Sequence, residues 1–269
     1  MKVLQTNSGK RLRGGAGVIA LSVTACLWGL VPVAAADDGD AKVLFKAMSD
    51  YLVGQKAIHF TYDASLEVVT TDLQKLSLAN SGSASMARPD KLRFARKGGF
   101  LDAEIAYDGK TVTAFGKTLN VFAKEPIEGT VDEMMDILRF DYDLKAPAAD
   151  LLSSNPYEIM MSNVTDARDL GSGIIGGKRC DHLAFRTRDT DWEIWIAQGD
   201  APYPCRFTIT SKLMAMAPSY TIEVTSWKAG ADVPADDFKV STGDAKEVKL
   251  EDMTEGLEMA LDVAREGVQ

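Results

Sequence analysis

The chain has 269 residues, with 30 Lys and Arg against 39 Asp and Glu and only two histidines, and 46% of it is hydrophobic. A balance this acidic argues against nucleic acid as a partner and against adsorption to anionic lipid through a basic surface. Three cysteines without a CxxC pair, and His59 and His182 as the sole imidazoles, offer too few donors for a metal or redox centre, so no cofactor and no metal are expected.

The first fifteen residues carry Lys2, Lys10, Arg11 and Arg13 and no acid, and Ala16 to Ala36 then run without a charged side chain. That order is an export signal, and Ala34-Ala35-Ala36 followed by Asp37-Asp38 places the cleavage after Ala36. The competing readings are an uncleaved anchor and a lipobox, Val23-Thr24-Ala25-Cys26, whose cysteine would be acylated; the apolar run continues ten residues beyond Cys26. The chain is thus expected in the Gram-negative periplasm, without stable membrane embedding once the signal is gone. Removing residues 1–36 leaves 26 bases against 39 acids, a net −13. Cys180 and Cys205 then remain as an even pair, which an oxidising compartment would join in a disulfide. No Pro/Gly/Ser-rich linker divides the rest, so one domain over 37–245 is expected, followed by an acidic tail, 246–269.

Ala41 to Gly54 reads as a helix, with Val43, Leu44, Ala47, Met48, Tyr51 and Leu52 at three- and four-residue steps and Gly54 at the stop. From His59 to Val69 the period becomes two: Phe60, Tyr62, Ala64, Leu66 and Val68 alternate with polar residues, a strand with one dry face. The alternation returns at Leu92/Phe94, Leu101/Ala103/Ile105/Tyr107, Val112/Ala114 and Leu119/Val121/Ala123, with turn chemistry at Arg88-Pro89-Asp90, Asp108-Gly109 and Phe115-Gly116-Lys117. Thr130 caps a second helix through Val131, Met134, Met135 and Leu138. A proline-broken connection, Leu144 to Leu152, and a helical turn from Asn155-Pro156 to Met161 follow. Strands resume at Val164 to Leu170. Later dry faces are Leu183/Phe185, Trp192/Ile194/Ile196, Phe207/Ile209 and Tyr220/Ile222/Val224, and Lys249 to Gln269 has the pattern of an amphipathic helix.

The expected fold is α+β, mainly β: a strongly curved antiparallel sheet of nine to eleven strands, a half-open β-barrel whose apolar concave face is covered by the helices from Ala41 and Thr130. Short blocks along the chain carry a resemblance. Met48-Ser49-Asp50-Tyr51-Leu52, Arg88-Pro89-Asp90-Lys91-Leu92-Arg93, Tyr107-Asp108-Gly109-Lys110, Cys180-Asp181-His182-Leu183-Ala184-Phe185-Arg186 and Trp192-Glu193-Ile194-Trp195-Ile196 resemble an uncharacterised family of predicted periplasmic proteins, over about Ala41 to Phe238. The RPDKLR and DGK blocks are also similar to the wider group of outer-membrane lipoprotein carriers and receptors of the LolA/LolB type. That resemblance implies a half-open barrel closed by helices around an apolar cavity.

Catalytic signatures are missing from the sequence. There is no GxSxG, and Cys180 and His182, two apart on one strand face, are no nucleophile pair if the cysteine is bridged. Gly171-Ser172-Gly173 and Gly176-Gly177 lack the Lys-Ser/Thr end of a phosphate loop and read as turns. The carboxylate pairs Asp141/Asp143 and Asp236/Asp237 are what an acidic chain supplies by chance. The reading is therefore a monomeric, non-enzymatic binding protein that shelters a lipid, acyl chain or lipoprotein on its concave face. Phe60, Tyr62, Leu66, Phe94, Ile105, Tyr107, Phe185, Trp192, Ile194, Phe207 and Ile222 would line that face, with Arg96 at the polar rim. The alternative is an envelope interaction or sensory protein whose interior is filled by its own helices, because alternation shows a buried face without showing an empty one.

Overall fold

A computed structural model describes residues 38–98, 101–144, 146–233 and 238–253. The export signal, its cleavage site, Cys26, the Asp236/Asp237 pair and most of the C-terminal tail lie outside the described residues.

The first helix, α1 (Asp38–Gly54), turns Ala41, Phe45, Met48 and Leu52 inward, each fully buried, at the spacing that stacks side chains on one helix face. Six strands follow: β1 (Ala57–Val69), β2 (Lys75–Ala87), β3 (Lys91–Lys97), β4 (Ala103–Tyr107), β5 (Thr111–Gly116) and β6 (Val121–Pro126). A helical passage comes next, made of α2 (Val131–Phe140), a 3-10 turn (Ala149–Leu152) and α3 (Pro156–Met161). The second run is β7 (Asp166–Ile175), β8 (Lys178–Arg186), β9 (Thr190–Ala197), β10 (Pro204–Ser211) and β11 (Ser219–Ala229), and a two-residue β12 (Lys246–Glu247) ends the series.

All twelve strands form one sheet in the order β12-β6-β5-β4-β3-β2-β1-β11-β10-β9-β8-β7. Two meanders, β1 to β6 and β7 to β11, are joined where β11 returns to pair with β1, so the first strand of the chain lies in the middle of the sheet. Every pairing is antiparallel except β12, which adds to β6 in parallel. The edges β12 and β7 do not pair with each other, and the sheet is not closed into a barrel. The expected fold class holds, with one strand more than the upper count.

The differences from the sequence reading have local causes. The alternation at Leu119/Val121/Ala123 starts two residues late as a strand, because Lys117 to Asn120 make the β5–β6 turn and leave Leu119 65% exposed. Gly171 to Gly173 are not a turn: they lie inside β7 at a register shift between Asp169 and Ser172, where Gly171 takes φ +84°. Gly176-Gly177 is the turn, linking β7 to β8. Strand β2 has no counterpart in the reading at all. Its sequence, KLSLANSGSASMA, is built from Ser, Ala, Asn and Gly, which carry little strand signal of their own.

Candidate functional site

Register fixes which side chains share the concave face. One row runs Phe60, Ala84, Phe94, Ile105, Ala114, Ala123 across β1 to β6, and the next runs Tyr62, Gly82, Arg96, Ala103, Gly116, Val121. On the other meander the same face carries Ile222, Phe207, Ile194 and Leu183, beside a second row of Tyr220, Ile209, Trp192 and Phe185. The two halves differ in bulk. Small side chains dominate over β4 to β6, large ones over β8 to β10.

Under α1 the large side chains close up. Phe45 sits 5.4 Å from Phe185, 5.2 Å from Trp192 and 6.0 Å from Tyr157 of α3, ring centre to ring centre, and Phe185 stacks on Trp192 at 4.0 Å. Phe185, Trp192, Ile194 and Phe207 are all buried. This half of the concave face is filled by the protein's own helix.

Over β4 to β6 a cavity of about 290 Å3 remains. Its floor is Ala103, Ile105, Val112, Ala114, Gly116 and Val121; Leu138, Tyr142 and Leu144, at the end of α2 and just beyond it, form one wall, and Val248, Leu250 and Met253 form another. Space exists here because the inward positions carry Ala, Ala and Gly where the other meander carries Phe, Trp and Leu. A Cβ on Gly116 would meet Met253 Cε at 3.5 Å and Val121 Cγ2 at 3.6 Å, ordinary contacts. The C-terminal wall hangs on the sheet through backbone bonds from Lys246 N–H to Asn120 O (3.0 Å) and from Val248 N–H to Phe122 O (2.8 Å). Polar residues along the cavity lining are Thr118, Asp252, Tyr142 and Glu104, the last lying between Ala103 and Ile105 in β4 with its side chain on the opposite face of the sheet. Glu104 is neutralised in place: Lys117 Nζ approaches at 2.6 Å and Arg93 donates from Nε at 2.7 Å. Burial alone would raise its carboxyl, but these two bases outweigh burial and hold it below the ordinary carboxylate range.

Of the residues marked from sequence, Ile105 lines this cavity. Tyr107 is fully buried and donates its hydroxyl to Gly129 O at 2.7 Å. Phe60 stacks on Trp227 at 5.7 Å, and Tyr62 stacks on Phe94 at 5.7 Å while its hydroxyl donates to Ala95 O at 3.3 Å. Leu66, Phe94 and Ile222 are partly exposed on the middle of the face. Arg96 is half-buried there, and burial works against its charged form while Tyr62 and Tyr220 lie near enough to favour it. Both phenols are pushed up, chiefly by loss of water, so they remain protonated donors. The residues that sequence reasoning did not single out are the small floor positions Ala103, Ala114 and Gly116 and the wall from Val248 to Met253. The available signal was a run of inward positions without bulk.

The chemistry elsewhere is structural. Cys180 and Cys205 form a disulfide that joins β8 to β10 across β9, so Cys180 carries no thiol for His182 to activate. His182 instead pairs with Glu193 at 2.7 Å and stacks on Trp195 at 4.0 Å. Among the described residues no group of three His, Cys, Asp or Glu could hold a metal ion, and no helix is long and apolar enough to cross a membrane.

Residues 41–251 match a family model described as "Predicted periplasmic protein (DUF2092)". None of the curated proteins matches the chain significantly. Among solved structures, an uncharacterized conserved protein from Thermus thermophilus is similar at 14% identity, covering 78% of this chain and 99% of that one, with a TM-score of 0.45. The Mycobacterium tuberculosis lipoprotein LppX is similar at 12% identity over 74% of this chain and 99% of its own, TM-score 0.42. A putative outer membrane lipoprotein-sorting protein domain from Vibrio parahaemolyticus gives 8%, 75% and 97%, TM-score 0.32. At these scores, what the protein binds has to be read from its own residues.

Proposed function

The chain belongs to the DUF2092 family of predicted periplasmic proteins, and from that premise we propose that it is a non-enzymatic carrier or receptor holding one apolar chain in the cavity over β4 to β6. The observation that carries this reading is the cavity itself, about 290 Å3 floored by Ala103, Ala114 and Gly116 in a sheet whose other half is tightly packed. At roughly 30 Å3 for each water-sized group, it accommodates on the order of ten such groups. That is room for an acyl-type chain. Burial of about ten methylenes yields ~8 kcal/mol before the cost of association is subtracted. Affinity is then micromolar at best, which suits a protein that must release what it holds.

Arg96, paired in register with Ala103 of the floor, is the cation placed to meet a polar chain end. The protein reaches its ligand after export, by cleavage following Ala36 or, in the second form, by acylation at Cys26, and acts as a monomer. The test is titration with a fluorescent fatty acid and with a neutral alkyl probe of equal length. Ala114→Phe, which fills the floor, is expected to abolish both, whereas Arg96→Gln weakens only the acid-ended probe. Unchanged binding by Ala114→Phe, or no binding by the parent protein, removes this reading. The second reading, an envelope interaction protein with a packed interior, is favoured by Phe45 filling the β8 to β10 half, and it gains if neither probe binds.

A further inference from the structure

Exposed apolar side chains are unevenly placed on this molecule. Of the eleven large ones among the described residues, five occupy three hairpin tips: Leu73 between β1 and β2, Leu119 between β5 and β6, and Leu213, Met214 and Met216 between β10 and β11. Neighbouring strands alternate in direction, so β1, β5 and β10 all run the same way and the three tips project from one end of the sheet. Turns at the opposite end, Arg88 to Asp90, Asp108 to Lys110, Gly176-Gly177 and Gln198 to Ala201, carry none of the eleven, with Ile174 standing two residues before one of them, while the β8–β9 turn at the same end as the three tips carries Arg188 and Asp189. Chance scatter of surface apolar residues needs no explanation, but segregation to one end of alternating hairpins does.

Backbone conformation sharpens the contrast. Leu73 stands at φ 66° and Met216 at φ 61°, the left-handed region in which Gly or Asn is the economical choice for a turn. The sequence instead sets a large apolar residue, exposed to water, in a conformation its Cβ disfavours. Each tip also has a lysine at its base, held by a carboxylate of the sheet: Lys75 on Glu67 (3.1 Å), Lys117 on Glu104 (2.6 Å) and Lys212 on Asp191 (3.2 Å). Three carboxylates of the sheet are thereby paired at this end, while Asp72, beside Leu73 in the β1–β2 tip, and Asp189, in the β8–β9 turn, stay exposed.

We propose that this end docks on the surface of a phospholipid bilayer, with the three tips seated at the boundary between headgroups and acyl chains and the three lysines at headgroup level. Separate convex points suit a fluid interface, which closes around each one, better than a rigid protein groove. Leu119 belongs both to the exposed tips and to the lining of the cavity, so docking brings the cavity rim to the lipid surface; this last role rests on the binding reading, whereas the docking does not.

The experiment is flotation of the exported, purified protein with vesicles of phosphatidylcholine and phosphatidylethanolamine, beside the double variant Leu73→Asn, Met216→Asn. Parent and variant share whatever N-terminus processing leaves, so their difference reports the tips. Vesicle partition is expected to fall roughly tenfold for each tip residue replaced, while the melting temperature stays the same or rises, because Asn relieves the left-handed turns. A parent that fails to float, or a variant that floats equally well, overturns the docking proposal. Ala114→Phe separates the two readings: it loses the alkyl probe and floats like the parent if both hold. If the parent binds the probe without floating, only the docking is lost.

Discussion

Gly82 lies between Tyr62 of β1 and Arg96 of β3 in register, and the Tyr62 ring crosses over it to reach the Ala95 carbonyl. A Cβ at this position would collide with the Ala95 carbonyl oxygen and the Tyr62 hydroxyl. Only glycine leaves the ring its place, so Gly82→Ala is expected to cost about 1–3 kcal/mol through strain and to lower the urea midpoint accordingly. Glu104, by contrast, has its charge matched by Arg93 and Lys117. Its carboxyl is held below the ordinary value in the folded state, so the unfolded chain binds the proton more readily. The stabilisation is complete above the unfolded value, about 4.3, and is lost as the pH falls through the lower folded value. Glu104→Gln should therefore cost about 1–2 kcal/mol at pH 7, and parent and variant should converge in stability once the pH has fallen below the lowered folded value. A difference that persists at low pH would mean that packing, and not charge, is what Glu104 contributes.

Elements are tied together by two devices of different range. The Cys180–Cys205 disulfide spans β9 with Cα atoms 6.9 Å apart and closes a separation of 25 residues. Removing both cysteines by Cys180→Ala, Cys205→Ala should cost about 3 kcal/mol on the chain-entropy account, read from denaturant unfolding, without changing probe binding at the distant β4 to β6 cavity. Helix α2 is fixed locally by a capping box, in which the Glu133 N–H donates to Thr130 Oγ1 at 3.3 Å and Thr130 N–H donates to Glu133 Oε2 at 2.7 Å. Thr130 was readable as a cap from sequence because a cap needs only its own next few residues. Strand β1 was readable for a similar reason, since Phe60, Tyr62, Ala64 and Val68 alternate strongly. Its partner β2 was not. Ser81 and Ser83 are strand residues because β1 and β3 pair with them on both sides, and Ser77 and Ala79 because β1 pairs with them on one, a cause that lies outside the segment itself.

At the scale of the whole molecule, the concave face was legible as a dry surface, but which half of it is empty was not. Phe185, Trp192 and Phe207 and the floor residues Ala103 and Ala114 all occupy inward positions of alternating strands. What separates them is whether a helix brings a ring to meet them, and Phe45 does so only on the β8 to β10 side. Bulk on one meander and its absence on the other thus divide the interior into a packed half that stabilises and an open half available to a ligand. Phe45→Ala tests this division. It removes the ring packed among Phe185, Trp192 and Tyr157, and should cost about 3–5 kcal/mol, since the surrounding aromatics cannot collapse fully into the gap. Alkyl-probe affinity at the β4 to β6 cavity should stay at the parent value in samples kept below the lowered melting temperature. If affinity falls in step with the loss of packing while the fold persists, the two halves form one coupled interior and the assignment of separate roles to them is wrong.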